Sequence, residues 1–314
     1  MKKYIMILAF VIFIAACTPQ TDNNYKFEDV YKGVEGLRFS FLTNAPPREV
    51  YDGSPFQIIV NLENKGAADI EKGILAISLE KDYYTPQDID NREINLYGRK
   101  ITMRYGEQKR EVYSISEVKI PETQSESHKT QIYVTACYQY QTTLKADVCI
   151  DTDVYNLKER TRSCRVSDYY SSSGQGAPVA ITRIEETMLP EGENQIRPSY
   201  KIYVRNQGRG EVVLPDKVNE ACGSKLSKDV LNKIKVKDVK LSTYSLKNGD
   251  FKCVPEQEGD ILTLRESEDF IICELNNGIS TEAASFLTGL EIDLEYGYTE
   301  TISQEVKIVR KLIV

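Results

Sequence analysis

The chain has 314 residues, with 47 acidic against 40 basic side chains, a formal net charge of −7, one histidine and no tryptophan. An acidic chain whose bases are dispersed excludes nucleic acid as a partner class, because phosphate neutralisation needs a concentrated basic face. Twenty tyrosines, with Val, Ile and Thr recurring at alternate positions, favour β structure.

Lys2 and Lys3 precede an uncharged apolar run from Tyr4 to Ala16. As a helix that run would measure about 20 Å, short of the roughly 30 Å hydrocarbon core of a bilayer. Its length matches the h-region of a secretory signal instead. The run ends Ile14-Ala15-Ala16-Cys17 and turns polar at Thr18-Pro19-Gln20. These residues resemble a prokaryotic lipobox. The resemblance implies removal of residues 1–16 and lipidation of Cys17, leaving the protein extracytoplasmic and anchored to a membrane by an N-terminal lipid. Two acyl chains would hold it essentially permanently. Loss of Lys2 and Lys3 takes the net charge to −9. Adhesion to anionic lipid through overall charge is therefore disfavoured, and the anchor is expected to be covalent.

Residues 17–35 are polar and aperiodic and read as a lipidated tether. Alternating strands are expected from Leu37 to Leu42, Phe56 to Leu62, Ile74 to Leu79, Glu93 to Tyr97, Arg110 to Ile120, Thr130 to Tyr140 and Ala146 to Asp151. Polar turns separate them, so residues 36–166 read as a β-sandwich. Residues 167–178 contain Ser171-Ser172-Ser173-Gly174-Gln175-Gly176 and read as a linker. A second sandwich is expected over 179–314. Its strands are Val179–Thr187, Tyr200–Arg205, Glu211–Leu214, Ile234–Thr243, Asp250–Val254, Ile261–Leu264, Phe270–Leu275, Gly289–Tyr298 and Glu305–Leu312. The principal helix expected is short, from Ser227 to Lys233, with Ser227 as N-cap.

An internal repeat underlies the two-unit reading. Val134–Ile150 aligns without gaps on Ile292–Ile308 at an offset of 158, matching Tyr138 with Tyr296 and Tyr140 with Tyr298. Val60–Gly66 matches Ile202–Gly208 at an offset of 142, including Asn64 with Asn206 and Gly66 with Gly208. Each long segment is expected to fold as a hairpin, turning near residue 143 in the first copy. The alternation of the four tyrosines with apolar residues places them in the core rather than on a carbohydrate-stacking surface. An alternating strand that ends in Asn-x-Gly, with a Tyr-x-Tyr hairpin, resembles CARDB-type and related immunoglobulin-like modules of archaeal and bacterial surface proteins. The resemblance covers about 36–165 and 177–314. It implies an all-β fold of two tandem immunoglobulin-like sandwiches, with a role in adhesion, spacing or assembly.

With Cys17 set aside, Cys137, Cys149, Cys164, Cys222, Cys253 and Cys273 form an even set, as expected of disulfides in an exported chain. A hairpin turning near 143 would pair Cys137 with Cys149; Cys253 with Cys273 and Cys164 with Cys222 would follow. The rival scheme joins Cys149 to Cys164.

Catalytic chemistry finds little support. His128 lies in a polar loop beside Ser125 and Ser127, and such a loop is not the rigid support on which a catalytic base needs its nucleophile and orienting carboxylate held. Asp88-Ile89-Asp90-Asn91 and Asp151-Thr152-Asp153 are fragments of calcium loops without the glycine and distal glutamate of a full cage. The lysine-rich run from Lys233 to Lys240 reads as a charge-protected sheet edge. No metal, cofactor or catalytic residue is therefore assigned. The expected function is a non-enzymatic surface lipoprotein, a binding, adhesion or scaffold module. Its partners would be the membrane, through Cys17, and another surface or envelope protein. The alternative is a lipid-anchored accessory subunit of an envelope transporter, secretion system or extracellular enzyme.

Overall fold

The computed structural model describes residues 25–155, 162–223, 226–254 and 260–311. Its regular structure is nearly all β, as the alternating pattern predicts. A four-residue helix, α1 (Phe27–Val30), precedes the strands of the first half. These are β1 (Leu37–Phe41), β2 (Glu49–Tyr51), β3 (Phe56–Asn64), β4 (Ile70–Ser78), β5 (Tyr84–Asp88), β6 (Arg92–Leu96), β7 (Gln108–Val118) and β8 (Ser127–Ile150). The second half opens with β9 (Tyr169–Tyr170), β10 (Val179–Glu191), β11 (Gln195–Asn206), β12 (Glu211–Val213) and a second short helix, α2 (Val218–Ala221). It continues through β13 (Lys233–Leu241), β14 (Tyr244–Ser245), β15 (Phe251–Val254), β16 (Ile261–Thr263), β17 (Glu268–Leu275), β18 (Ile279–Ser280) and β19 (Phe286–Val309). The helix expected after Ser227 is only a 3-10 turn, Lys228–Val230, and Ser227 Oγ engages the Asp229 carboxylate instead of capping an amide.

The strands form three sheets. A four-stranded sheet has the order β1-β3-β7-β5, and a second runs β15-β17-β11-β10-β9 with β18 added along β11. The third is nine-stranded, with the path β14-β13-β19-β8-β4-β6 and with β2, β12 and β16 at its margins. The two halves match in register. Leu37 pairs with Asn64 in the first, and Val179 with Asn206 in the second, so the sequence offset of 142 carries through the ladder.

The expected hairpins are not formed. β8 and β19 each run straight for 24 residues and pair antiparallel over their whole length, from Ser127↔Val309 to Ile150↔Phe286. At about 3.4 Å per residue this ribbon is about 80 Å long. β4 flanks β8 from Tyr133 to Tyr138, and β13 flanks β19 from Leu290 to Glu295. Each long strand therefore starts in one half of the molecule and ends in the other, so the halves exchange strands. Ladder partner and repeat counterpart coincide at Gln139 and Gly297, so a local two-fold axis passes through that pair. The sequence carries the reason. Gln141-Thr142-Thr143-Leu144 supplies β-branched residues where a tight hairpin needs glycine, asparagine or aspartate at positive φ.

Straight strands also overturn the preferred disulfide scheme. Cys137 and Cys149 lie on one strand, about 40 Å apart, and do not pair. The bridges are Cys137–Cys222, Cys149–Cys164 and Cys253–Cys273. The last is the expected local pair, the second is the rival, and Cys164–Cys222 is not formed. Cys137–Cys222 fastens β8 to the residue after α2, where Val213 and Val218 pack around Cys137. It spans 85 residues and constrains the unfolded chain most, by about 4–5 kcal/mol in the chain-entropy account.

Both smaller sheets cover one face of the ribbon, and one contiguous buried cluster draws residues from all three sheets. Tyr138, Tyr140, Tyr296 and Tyr298 stand together at its centre, each at most 1% exposed. Cross-strand partners Tyr138 and Tyr298 have ring centroids 5.8 Å apart, and Tyr140 and Tyr296 are 6.4 Å apart. These tilted contacts suit aromatic quadrupoles and add about 0.5–1.5 kcal/mol each to the burial of the rings.

The segments before β1 and β10 meet at the same waist. Gly33 N–H donates to Ser173 O at 2.6 Å, and Gly176 N–H donates to Gly33 O at 2.8 Å. Residues 167–178, read as a linker, contain β9 and the buried Gln175, whose amide bonds both backbone groups of Ile181.

Candidate functional site at the waist

Each Asn-x-Gly turn is locked to a tyrosine of the ribbon. Asn64 Oδ1 accepts from Gly66 N and from Tyr140 Oη, both at 3.1 Å, while Asn64 Nδ2 donates to Ala68 O at 2.8 Å and Leu96 O at 3.1 Å. In the second half, Asn206 Oδ1 accepts from Gly208 N at 3.1 Å and Tyr298 Oη at 3.4 Å, and its Nδ2 donates to Gly210 O at 2.8 Å. Glycine is required after each asparagine, because a Cβ on Gly66 or Gly208 would overlap the hydroxyl of Tyr140 or Tyr298. The other tyrosine of each pair receives the first amide of a strand. Leu37 N donates to Tyr138 Oη at 3.2 Å, and Val179 N to Tyr296 Oη at 3.3 Å. Burial pushes the phenols of Tyr138 and Tyr296 well above their ordinary range. These hydroxyls remain neutral and hold strands together within the core.

The other sequence candidates are scattered. His128 stacks on Tyr83 with centroids 3.7 Å apart, and its Nε2 lies 3.3 Å from Glu80 Oε2. Tyr83 Oη donates to Glu122, while Ser125 Oγ donates to the backbone of Ser127 rather than to the imidazole. Asp88 pairs with Arg92, and Asp151 pairs with Arg162 and accepts from Asp153 N. No group of acids, histidines and cysteines among the described residues is arranged to hold a metal ion. The lysine-rich strand is not a free edge: β16 and β14 pair with its two ends, and Lys240 meets Glu291 at 2.9 Å. Cys17 lies outside the described residues.

Three surface features gather near the waist. A cleft of about 260 Å³ lies between α1, β8 and residues 169–175, with Phe27, Tyr31, Leu144 and Tyr169 among its walls. Two of its charged groups are already engaged, Lys32 with Asp29 and Lys145 with Glu291. The second feature is Tyr25, which begins the described chain beneath the Arg104 guanidinium, 5.5 Å from its ring centroid. The third is the connection from Tyr97 to Glu107, which exposes Tyr97, Ile101, Met103 and Tyr105 to solvent. The alternating pattern gave no sign of this loop's role. Its only trace in the sequence is a run of aromatic, apolar and basic residues between two predicted strands.

No protein-family model matches the chain, and no curated protein matches it. Among the described residues, no helix is long and apolar enough to cross a membrane.

Proposed function

We propose that the protein is a non-enzymatic surface lipoprotein, anchored through Cys17, that presents a rigid paired β-sandwich as a binding, adhesion or scaffold module. The observation that carries the reading is the cysteine pairing. All six cysteines after Cys17 are joined in three disulfides, and such bridges persist in oxidising compartments outside the cytosol. An oxidising compartment agrees with an export signal, and Cys17 is left as the thiol available for lipid. The immunoglobulin-like resemblance agrees with the two matched sheet systems, and the continuous core suits a spacer that must keep its shape.

The test is Cys17→Ser in cells, followed by separation of membrane and soluble fractions. The anchor reading expects loss from the membrane fraction with folding and disulfides unchanged. Full retention after a high-salt wash would overturn it.

A further inference from the structure

The loop from Tyr97 to Glu107 differs from its counterpart across the local two-fold axis. Eleven residues join β6 to β7, but only four, Leu264 to Ser267, join β16 to β17. The short connection is polar at its turn, Arg265-Glu266-Ser267. The long one exposes six consecutive residues, Lys100 to Tyr105. Ile101 is 53% exposed, Met103 37%, Tyr97 57% and Tyr105 63%. Single exposed apolar residues are ordinary, but four within nine positions on one loop form a patch that a free surface has no reason to keep.

The loop is held firmly. Lys100 and Met103 exchange two backbone hydrogen bonds of 2.9 Å, which puts Ile101 and Thr102 at the tip. Arg99 donates to the carbonyl of Lys32, so the loop is stapled to the N-terminal segment. Arg104 lies between the rings of Tyr25 and Tyr105, at 5.5 and 5.8 Å. Lys100 sits over the Tyr97 ring at 4.6 Å and 3.2 Å from Asp69. The other nearby acid, Glu107, accepts the Tyr97 amide.

We propose that this loop is a membrane-contact site, whose tip places Ile101 and Met103 at the headgroup boundary of the bilayer that holds Cys17. The location rests on the lipid-anchor reading. Eight residue steps separate Cys17 from Tyr25, so Tyr25, whose ring lies 5.5 Å from the loop's Arg104, stays within about 30 Å of the lipid even with the chain fully extended. Tyr97 and Tyr105 supply the amphipathic rings that favour a membrane interface. Arg104 supplies positive charge toward headgroup phosphates, while Lys100 is paired with Asp69. The net negative charge of the whole protein does not oppose this contact, since charges more than about 10 Å away are screened.

The test uses the mature chain, residues 17–314 with Cys17→Ser, so that neither a lipid nor the apolar run Tyr4–Ala16 contributes, and protein-free vesicles of phosphatidylglycerol with phosphatidylcholine. Co-sedimentation with these vesicles is expected. Ile101→Asp with Met103→Asp should weaken it at least tenfold, and Arg104→Glu by about fivefold or more. Ser267→Asp in the short connection should leave it unchanged. Circular dichroism identifies any variant that fails to fold. The proposal is overturned if the Cys17→Ser chain does not sediment with anionic vesicles, or if the double aspartate variant binds as its parent does. Binding to native membranes but not to protein-free vesicles would also overturn it and would assign the loop to a protein partner. The vesicle result is independent of whether Cys17 is lipidated in cells, so the two readings fail separately.

Discussion

Replacing Glu186 by glutamine removes a titration that the fold makes costly. Glu186 lies on β10 directly across from Tyr200 and is 8% exposed. One carboxylate oxygen accepts from Cys149 N at 3.4 Å. The other oxygen, and the Tyr200 hydroxyl, have no hydrogen-bond partner among the described residues. Desolvation, with a small addition from Asp168, pushes the Glu186 carboxyl from 4.5 up to about 7. A carboxyl whose affinity for its proton is raised by folding stabilises the fold below its unfolded value. That stability is lost as the pH rises through about 7. Each factor of ten in proton affinity is about 1.4 kcal/mol, so the complete titration amounts to about 3 kcal/mol, and to ~2 kcal/mol after allowance for the solvent that reaches the group. Glutamine keeps an oxygen for Cys149 and carries no charge. The assay is urea unfolding with disulfides intact, followed by circular dichroism and tyrosine fluorescence, at about pH 5 and about pH 8. Relative to the parent, Glu186→Gln should gain about 2 kcal/mol on going from the lower to the higher pH. A stability difference that is the same at both pH values would refute the assignment.

Four further outcomes are expected. Non-reducing peptide mapping should recover Cys137 with Cys222 and Cys149 with Cys164; a Cys137–Cys149 peptide would return the hairpin and sink the strand exchange. Asn64→Ala should cost about 2–4 kcal/mol in urea unfolding, because it strands a buried amide, a tyrosine hydroxyl and two carbonyls. Asn206→Ala should cost less, since Asn206 is part-exposed and has one fewer carbonyl partner, and equal losses would contradict that ranking. Cys17→Ser should release the protein from membranes, as measured by fractionation.

Strand positions, the buried tyrosines and the Asn-x-Gly turns were legible because each follows from period-two alternation or from a turn residue with one role. The repeat was legible as well, but its meaning was not. An offset of 158 says that two segments are alike, and it is silent on whether each folds on itself or pairs with the other. The deciding clue was local: Thr142 and Thr143 occupy the expected turn, and β-branched residues resist it. The same two residues decide the partner of Cys137, because a hairpin and a straight strand place residue 149 about 40 Å apart. Glu186 was illegible for another reason. Its neighbour Thr187 and partner Tyr200 fit any half-buried strand, and burial of a single carboxylate depends on sheets far apart in sequence. The loop at 97–107 is illegible because exposure of apolar residues leaves no periodic mark.

The exchange of strands through one polypeptide has a consequence for how this surface could evolve. Two identical chains joined by the same ribbon would carry every loop twice, and a change that suited one flank would be imposed on the other. Here the two sides of the axis are written separately. One side carries an apolar, basic loop beside the N-terminal segment, while its counterpart is a short charged turn. Within one chain the stiffness of a symmetric pair is compatible with two faces that differ.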